Sequence, residues 1–279
     1  MKKWKIVADS SCDLRHDDIA AEHCDFTTVP FTMRIGGREF VDSEDLDTLT
    51  MVQAMEDCAE VSTTACPSPL LWAEEFADAE QVLAFTISAG LSGSYNSAAL
   101  GREMALESSP DKQVAVLDSC STGPAIAMCV AHVSQWIREG LPFDRVAGNA
   151  AELLAETKTI FALSSFDNLV KNGRVSKIAG FLAKNLGLWG VGIGRDGVIA
   201  MKGKARGVSR ALNIIIQDMQ ERGCAGKEII ISHCHNLAVA EKLRERIQEH
   251  WAGAEITVLK TRGLDSFYAE RGGLIVAYR

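Results

Sequence analysis

The chain lacks several features that would assign it to a class at once. Its eight cysteines are scattered and form no Cys-x-x-Cys pair, so neither a zinc framework nor a set of disulfides is indicated. Its apolar runs are too short to span a bilayer, and no low-complexity tract is present. Basic residues are not in excess: the formal net charge of -8 opposes a polyanionic partner such as nucleic acid.

The amino end also lacks the pattern of a signal peptide. Residues 2–5 are rich in lysine, but the short apolar stretch that follows is interrupted at once by Asp9, which removes the apolar centre that such a peptide needs. We therefore expect a globular protein of the cytoplasm. Its 279 residues exceed one ordinary domain, which predicts two compact units or one large one.

Hydroxyl-bearing loops follow predicted strands in the first half of the chain. A strand over residues 82–87 leads to Ser92, Gly93 and Ser94, and a strand over residues 5–8 leads to Ser10 and Ser11. In an open α/β sheet, the loops at the carboxyl ends of parallel strands lie side by side, where ligands bind. The simpler alternative is that these residues only shape turns and cap the following helices.

Two further segments repeat this arrangement. Residues 62–69 combine Thr63 and Thr64 with two prolines ahead of a helical pattern, and Ser68 is placed to cap that helix. Residues 114–118 form a buried strand before the loop 119–123 and a helix. Four such loops indicate a shared site for an anionic head group, because helix N-termini and hydroxyls offer unpaired donors.

The same repeat predicts an α/β fold, and the length of the chain is compatible with two domains. Residues 1–157 are expected to form an open, mostly parallel sheet with flanking helices. Residues 158–279 are expected to form a second α/β domain with a mixed or antiparallel sheet. Within it, Asp196-Gly197 predicts a hairpin.

Two patterns in the second half invite functional readings that the residues do not support. The glycine-rich stretch 187–197 looks like a phosphate loop but lacks Gly-Lys-Ser/Thr. His233 and His235 flank Cys234, yet no second ligand pair stands at zinc-like spacing, and Asn236 can simply cap the helix that follows. No nucleotide loop and no metal site is predicted.

Four segments together resemble the motifs of one family, in order and in spacing. Residues 9–14 are similar to Asp-Ser-(Ser/Thr)-x-Asp-Leu and residues 64–69 to Thr-Ser-Gln-Pro-Ser-Pro. Residues 91–98 are similar to Leu-Ser-Gly-Thr-Tyr-Gln-Ser-Ala, and residues 167–176 to Asp-x-Leu-x-x-Gly-Gly-Arg-Ile-Ser. The chain thus resembles, from end to end, the DegV family of bacterial fatty-acid-binding proteins.

This resemblance implies a carrier rather than an enzyme, with a long-chain fatty acid as ligand and no other cofactor. The carboxylate is expected near the interface of the two domains, at Thr64 and Ser92, and the tail in the second domain. Such proteins present the acyl group to a separate fatty acid kinase, which makes acyl phosphate. The family's closing Gly-x-His-x-Gly-Pro-Gly is not recognisable in residues 263–274. Ala269 or Tyr268 falls near the histidine position, and Arg271 could supply a different donor. The predicted ligand-binding residues are therefore Ser10, Ser11, Thr64, Ser92, Gly93, Ser94, Arg174, Tyr268 and Arg271.

Three alternatives remain open from the sequence. Gly90-Leu91-Ser92-Gly93-Ser94 misses the Gly-x-Ser-x-Gly motif only at its last position, so Ser92 could be a hydrolase nucleophile if a base such as His233 or His235 lay beside it. A binding module for a small carboxylate or a phosphorylated ligand would use the same loops without an apolar tunnel. Arg174, in a turn, could form a surface salt bridge instead of facing a ligand.

Overall fold

The computed structural model describes residues 2–19, 24–175 and 187–279. The elements of its first part are β1 (Lys2–Asp9), α1 (His16–Ile19), β2 (Cys24–Val29), β3 (Thr32–Ile35), β4 (Arg38–Val41), α2 (Thr48–Asp57), β5 (Thr63–Ala65), α3 (Pro69–Ala77), β6 (Ala79–Thr86), α4 (Ser94–Ser108), β7 (Gln113–Asp118), α5 (Pro124–Arg138) and α6 (Phe143–Glu156). The second part contains β8 (Lys158–Leu163), α7 (Asp167–Lys171), β9 (Leu188–Arg195), β10 (Val198–Arg206), α8 (Val208–Glu221), β11 (Glu228–His233), α9 (Leu237–His250), β12 (Glu255–Lys260), α10 (Gly263–Ala269) and β13 (Leu274–Tyr278).

The first sheet has the strand order β2-β1-β6-β7, and its strands pair in parallel. Successive side chains of a strand point to opposite faces. On β1, Ile6 and Ala8 therefore pack with α5 and α6, whereas Val7 packs with α3 and α4. Helices cover both faces, which explains why residues 4–9 of β1 and 82–86 of β6 are buried on both sides of the sheet. The predicted parallel sheet with flanking helices is confirmed.

The second sheet has the order β10-β9-β8-β13-β11-β12, and its neighbouring strands run antiparallel except for the β11–β12 pair. One face packs against α8 and α9, for example through Ile160 and Val191. The predicted hairpin is confirmed between β9 and β10, where Asp196 and Gly197 both have positive φ. The expectation of a second α/β region with a mixed sheet is likewise confirmed.

A third, small sheet has the strand order β4-β3-β5. Its residues Phe31 and Met33 share a buried cluster with Phe161 and Leu163 of β8. The chain passes from the first sheet to the second between α6 and β8, where the sequence places the domain boundary. Because this cluster joins residues from both sides, the division into 1–157 and 158–279 stays a prediction.

Two predicted caps have different outcomes. Ser68 caps α3, since its Oγ accepts a hydrogen bond from the Leu71 N–H at 3.4 Å, and Pro69 begins the helix. Ser176, expected to cap the helix after Gly173, lies outside the described residues.

Candidate functional site

The loops at the carboxyl edge of the first sheet lie side by side, as the sequence predicts. The Ser88 N–H after β6 donates to the Ser121 carbonyl after β7 at 2.8 Å. The Gly123 N–H donates to the Ser11 carbonyl after β1 at 2.9 Å. The tip of the β9–β10 hairpin also reaches this edge, because the Ser88 hydroxyl donates to the Gly197 carbonyl at 2.5 Å. Loops from both halves of the chain therefore meet at one place.

A cavity lies where these loops face the second sheet. Its empty space, including the part open to solvent, is about 810 Å³. Most of its lining is apolar, with a smaller number of hydroxyls and two charged side chains. The lining residues are Phe31, Thr64, Ile87, Leu91, Ser92, Cys120, Ser121, Thr122, Thr159, Phe161, Leu163, Leu169, Arg174, Gly194, Gly197, Val198, Ile199, Leu264, Asp265, Tyr268, Ala269 and Ile275.

Four of the residues predicted from the sequence line this cavity: Thr64, Ser92, Arg174 and Tyr268. Thr64 on β5 and Tyr268 on α10 are joined by a hydrogen bond of 2.9 Å between their hydroxyls. Ser92 lies in the loop before α4, where its Oγ accepts from the Ser94 N–H at 3.3 Å. The Arg174 Nε donates to the Leu91 carbonyl at 2.9 Å, which brings a positive charge next to the Ser92 loop.

The other predicted residues lie outside that lining. Ser10 and Ser11 are fully buried, and the Ser10 Oγ accepts from the Phe31 N–H at 3.0 Å. Gly93 is exposed and is the N-cap residue of α4. Arg271 pairs with the Glu56 carboxylate through two bonds of 2.6 and 2.9 Å, so its guanidinium is turned to the surface. Contact of these residues with a ligand stays a prediction.

The Asp9 carboxylate joins the loop that contains Ser11 to the loop that contains Ser92 and Ser94. The sequence alone does not indicate this role. The carboxylate accepts from the Ser11 hydroxyl at 2.5 Å, the Ser94 hydroxyl at 2.6 Å and the Ile87 N–H at 2.9 Å. Burial raises the pKa of Asp9 to about 6, although these hydrogen bonds oppose the shift. Ser11 and Ser94 are thus held by Asp9, which ties the β1 loop to the loop that carries Ser92.

A second group of buried acids fixes α10. Asp42 accepts from the Gly263 and Leu264 N–H groups at 2.8 Å each, and Asp13 accepts from the Arg262 N–H at 2.9 Å. Asp265 accepts from the Thr122 hydroxyl at 2.7 Å. Helix α10, which carries Tyr268, is therefore held by residues that come from the first half of the chain.

Asp13 and Asp265 approach each other closely beside Gly123. A Cβ on Gly123 would overlap Asp265 Oδ2 and lie 2.8 Å from Asp13 Oδ2, so only glycine fits there. Burial raises the pKa of Asp13 to about 7. Burial and the nearby Asp13 carboxylate hold the pKa of Asp265 well above its usual range. The pair is therefore expected to keep a proton near neutral pH.

The two histidines after β11 have protein partners. His235 Nε2 lies 3.1 Å from the Thr48 hydroxyl, and His233 Nδ1 accepts from the Asn236 N–H at 3.1 Å. Burial lowers the pKa of both imidazoles. Among the described residues that line the cavity, none is a histidine. Within the described ranges, no cluster of three or more histidine, cysteine or acidic residues could hold a metal ion.

No helix in the described part of the chain is both long and apolar enough to cross a bilayer.

Comparisons with known proteins agree over the whole chain. The model of a family described as uncharacterised proteins of the DegV family matches residues 3–277. A DegV domain-containing protein of Streptococcus pneumoniae is 38% identical over 276 residues, which cover 99% of this chain and 98% of the relative.

Two solved structures are similar in fold and in sequence. One is the Fatty Acid Kinase (Fak) B3 protein of Streptococcus pneumoniae loaded with linoleic acid, with a TM-score of 0.95 and 37% identity over 99% of each chain. The other is a DegV family protein of Eubacterium eligens loaded with heptadecanoic acid, with a TM-score of 0.93 and 35% identity over 99% of each chain.

Proposed function

Because the chain belongs to the DegV family, we propose that it binds a long-chain fatty acid in the cavity between its two large sheets. The hydroxyls of Thr64, Ser92 and Tyr268 would hold the carboxylate. One observation carries this proposal: hydroxyls from both halves of the chain line a cavity whose remaining walls are mostly apolar. Relatives at 37% and 35% identity hold linoleic and heptadecanoic acid.

The two kinds of lining suit the two ends of such a ligand. An acyl tail of about fifteen methylenes gains on the order of 12 kcal/mol when it leaves water, before the costs of association are subtracted. Apolar side chains such as Phe161, Leu163 and Ile275 can supply that burial. The carboxylate needs donors to offset its desolvation, and the three hydroxyls can provide them. Arg174 would add a positive charge nearby.

We further propose that the chain acts as a carrier, presenting the bound acyl group to a fatty acid kinase that forms acyl phosphate. The support is the relative named a Fatty Acid Kinase B3 protein, which aligns with this chain over 99% of both lengths. The cytoplasm as its compartment stays a prediction from the sequence.

Hydrolysis by Ser92 is the alternative with the least support from the geometry. The Ser92 Oγ accepts from the Ser94 N–H, and a serine nucleophile also needs a neighbouring base. A fluorophosphonate probe distinguishes the two functions. No labelling at Ser92 is expected, whereas stoichiometric labelling that His233→Ala or His235→Ala abolishes would favour the hydrolase.

A binding titration tests the carrier function and separates it from a module for small anions. Protein stripped of lipid is titrated with oleate, acetate and phosphate by calorimetry. Oleate should bind, and acetate or phosphate should bind far more weakly because neither carries a tail.

Ser92→Ala should weaken oleate binding by about 1–3 kcal/mol through the loss of a donor to a charged group. Ser108→Ala, at the exposed far end of the same helix α4, is the matched control. Equal binding of acetate and oleate would show that the site recognises a small carboxylate.

A further inference from the structure

Phe161, which lines the cavity, and Gly192 form a cross-strand pair. They are Cα partners on the antiparallel strands β8 and β9. The Phe161 ring lies back over Gly192, because a Cβ at position 192 would overlap its Cζ and lie 2.6 Å from Cε2 and 3.1 Å from Cε1. Glycine inside a strand has a cost in conformational entropy, and one reason for it is close approach by another group. Here the group that approaches is an aromatic ring.

Because the Phe161 ring lies over Gly192, the adjacent cavity stays empty. Phe161 lines the cavity and is only 7% exposed. Its ring packs at 6.1 Å, centroid to centroid, from that of Phe166. The backbones of β8 and β9 are fixed by their ladder of hydrogen bonds. If the room over Gly192 is filled, the ring must turn about its side-chain torsions, and the cavity is the adjacent empty space.

We infer that the Phe161–Gly192 pair sets the length of acyl chain that the cavity accepts, an inference that rests on the proposed fatty acid binding. Because Gly192 has no side chain, the Phe161 ring can lie over it and stay outside the space that the acyl tail would occupy. A side chain at position 192 would move the ring into that path and shorten the space for the ligand. The glycine-rich stretch that looks like a phosphate loop thus serves the apolar end of the ligand.

The test compares laurate and stearate, two saturated acids of different length, in wild type and variants. Each methylene that no longer fits should cost about fourfold in affinity. Gly192→Ala should therefore weaken stearate binding about tenfold or more relative to laurate. Adding Phe161→Leu to Gly192→Ala should restore the wild-type ratio of the two dissociation constants, because the smaller side chain fits beside the new methyl group. The control is Gly203→Ala in β10, whose Cβ would meet Ile214 at an ordinary 3.4 Å, and it should leave the ratio unchanged.

The single variant Phe161→Leu provides a second measurement that does not depend on how well Gly192→Ala folds. It should raise the affinity for stearate relative to laurate. The inference is overturned if Gly192→Ala weakens both acids equally, if Phe161→Leu fails to restore the ratio, or if Phe161→Leu alone leaves the ratio at its wild-type value. Wild-type protein that binds neither acid would overturn the proposed function itself, and this inference with it.

Discussion

At the scale of single residues, the hydrogen bond between Thr64 and Tyr268 is central to the candidate site. It joins positions 204 residues apart, so it forms only when both halves of the chain are folded together. Both hydroxyls face the cavity, and each can donate to a carboxylate once the ligand is present.

We expect Tyr268→Phe to weaken oleate binding by about 1–3 kcal/mol, because the carboxylate loses a donor while the ring stays in place. Thr64→Val should have a similar effect. The two losses should be non-additive, since both groups touch one carboxylate and each other. Calorimetric titration of the single and double variants measures this coupling.

Tyr95→Phe is the matched control, since it removes the same hydroxyl from a residue outside the cavity lining. It should bind oleate like wild type. If the two losses in binding free energy were fully additive in Thr64→Val with Tyr268→Phe, the two hydroxyls would not act on one carboxylate.

The sequence is informative about some of these residues and silent about others. Ser92 stands in a hydroxyl-rich loop after a predicted strand, and Thr64 stands in a hydroxyl-rich segment ahead of a predicted helix, so both a physical rule and a family resemblance point to them. Tyr268 is identified only by alignment with a missing histidine. Asp265 carries no local signal, because its partners Asp13 and Thr122 are distant in sequence and become neighbours only through the fold.

At the scale of elements, α10 connects the acidic cluster with the cavity. Asp265 and Tyr268 lie on this helix three positions apart, about one turn. Both residues also line the cavity.

We expect the free energy of unfolding to fall as the pH rises from about 6 to about 8. The folded protein holds protons on Asp13 and Asp265, whose pKa values are raised from an ordinary 3.8 to about 7 and well above the usual range, respectively. The unfolded chain has already released them at these pH values. Because the folded state binds more protons, its stability is lost as the pH passes through the folded pKa.

Asp265→Asn should make this loss smaller, since its amide can donate to Asp13 without a shared proton. Urea unfolding at pH values across that range measures the effect. The exposed Asp111→Asn should keep the wild-type dependence on pH. An equally steep loss in Asp265→Asn would show that another group is responsible.

Most elements are predictable because their signals are local. Asp196-Gly197 specifies the β9–β10 hairpin, for example. The short strand β5 has no comparable signal. It forms because Thr63, Thr64 and Ala65 pair with β3, which is a tertiary effect that residue pattern does not encode.

At the scale of the whole molecule, Arg262 joins the two halves of the chain. It is 2% exposed, and its guanidinium donates only to residues from the first half among the described contacts. These acceptors are the Leu14 and Asp42 carbonyls, the Thr28 hydroxyl and the Glu44 carboxylate, at distances of 2.9 to 3.1 Å.

We expect Arg262→Ala to lower the free energy of unfolding by about 3–5 kcal/mol, because it leaves the buried Asp42 carboxylate without its cation. Arg34→Ala, which removes one partner of the exposed pair with Glu39, should cost no more than about 1 kcal/mol. Denaturant titration compares the two variants. Equal small losses would mean that Arg262 does not hold the halves together.

We expect the cavity to hold a long-chain fatty acid in the protein as it is made in the cell. The decisive measurement is therefore the ligand content of the purified protein. Dissociation would expose the whole acyl chain to water, so a fatty acid acquired in the cell should remain bound through purification without detergent. Native mass spectrometry, followed by organic extraction, should show close to one long-chain fatty acid for each chain. If the purified protein is empty and also takes up no added oleate or palmitate, its ligand is not a long-chain fatty acid.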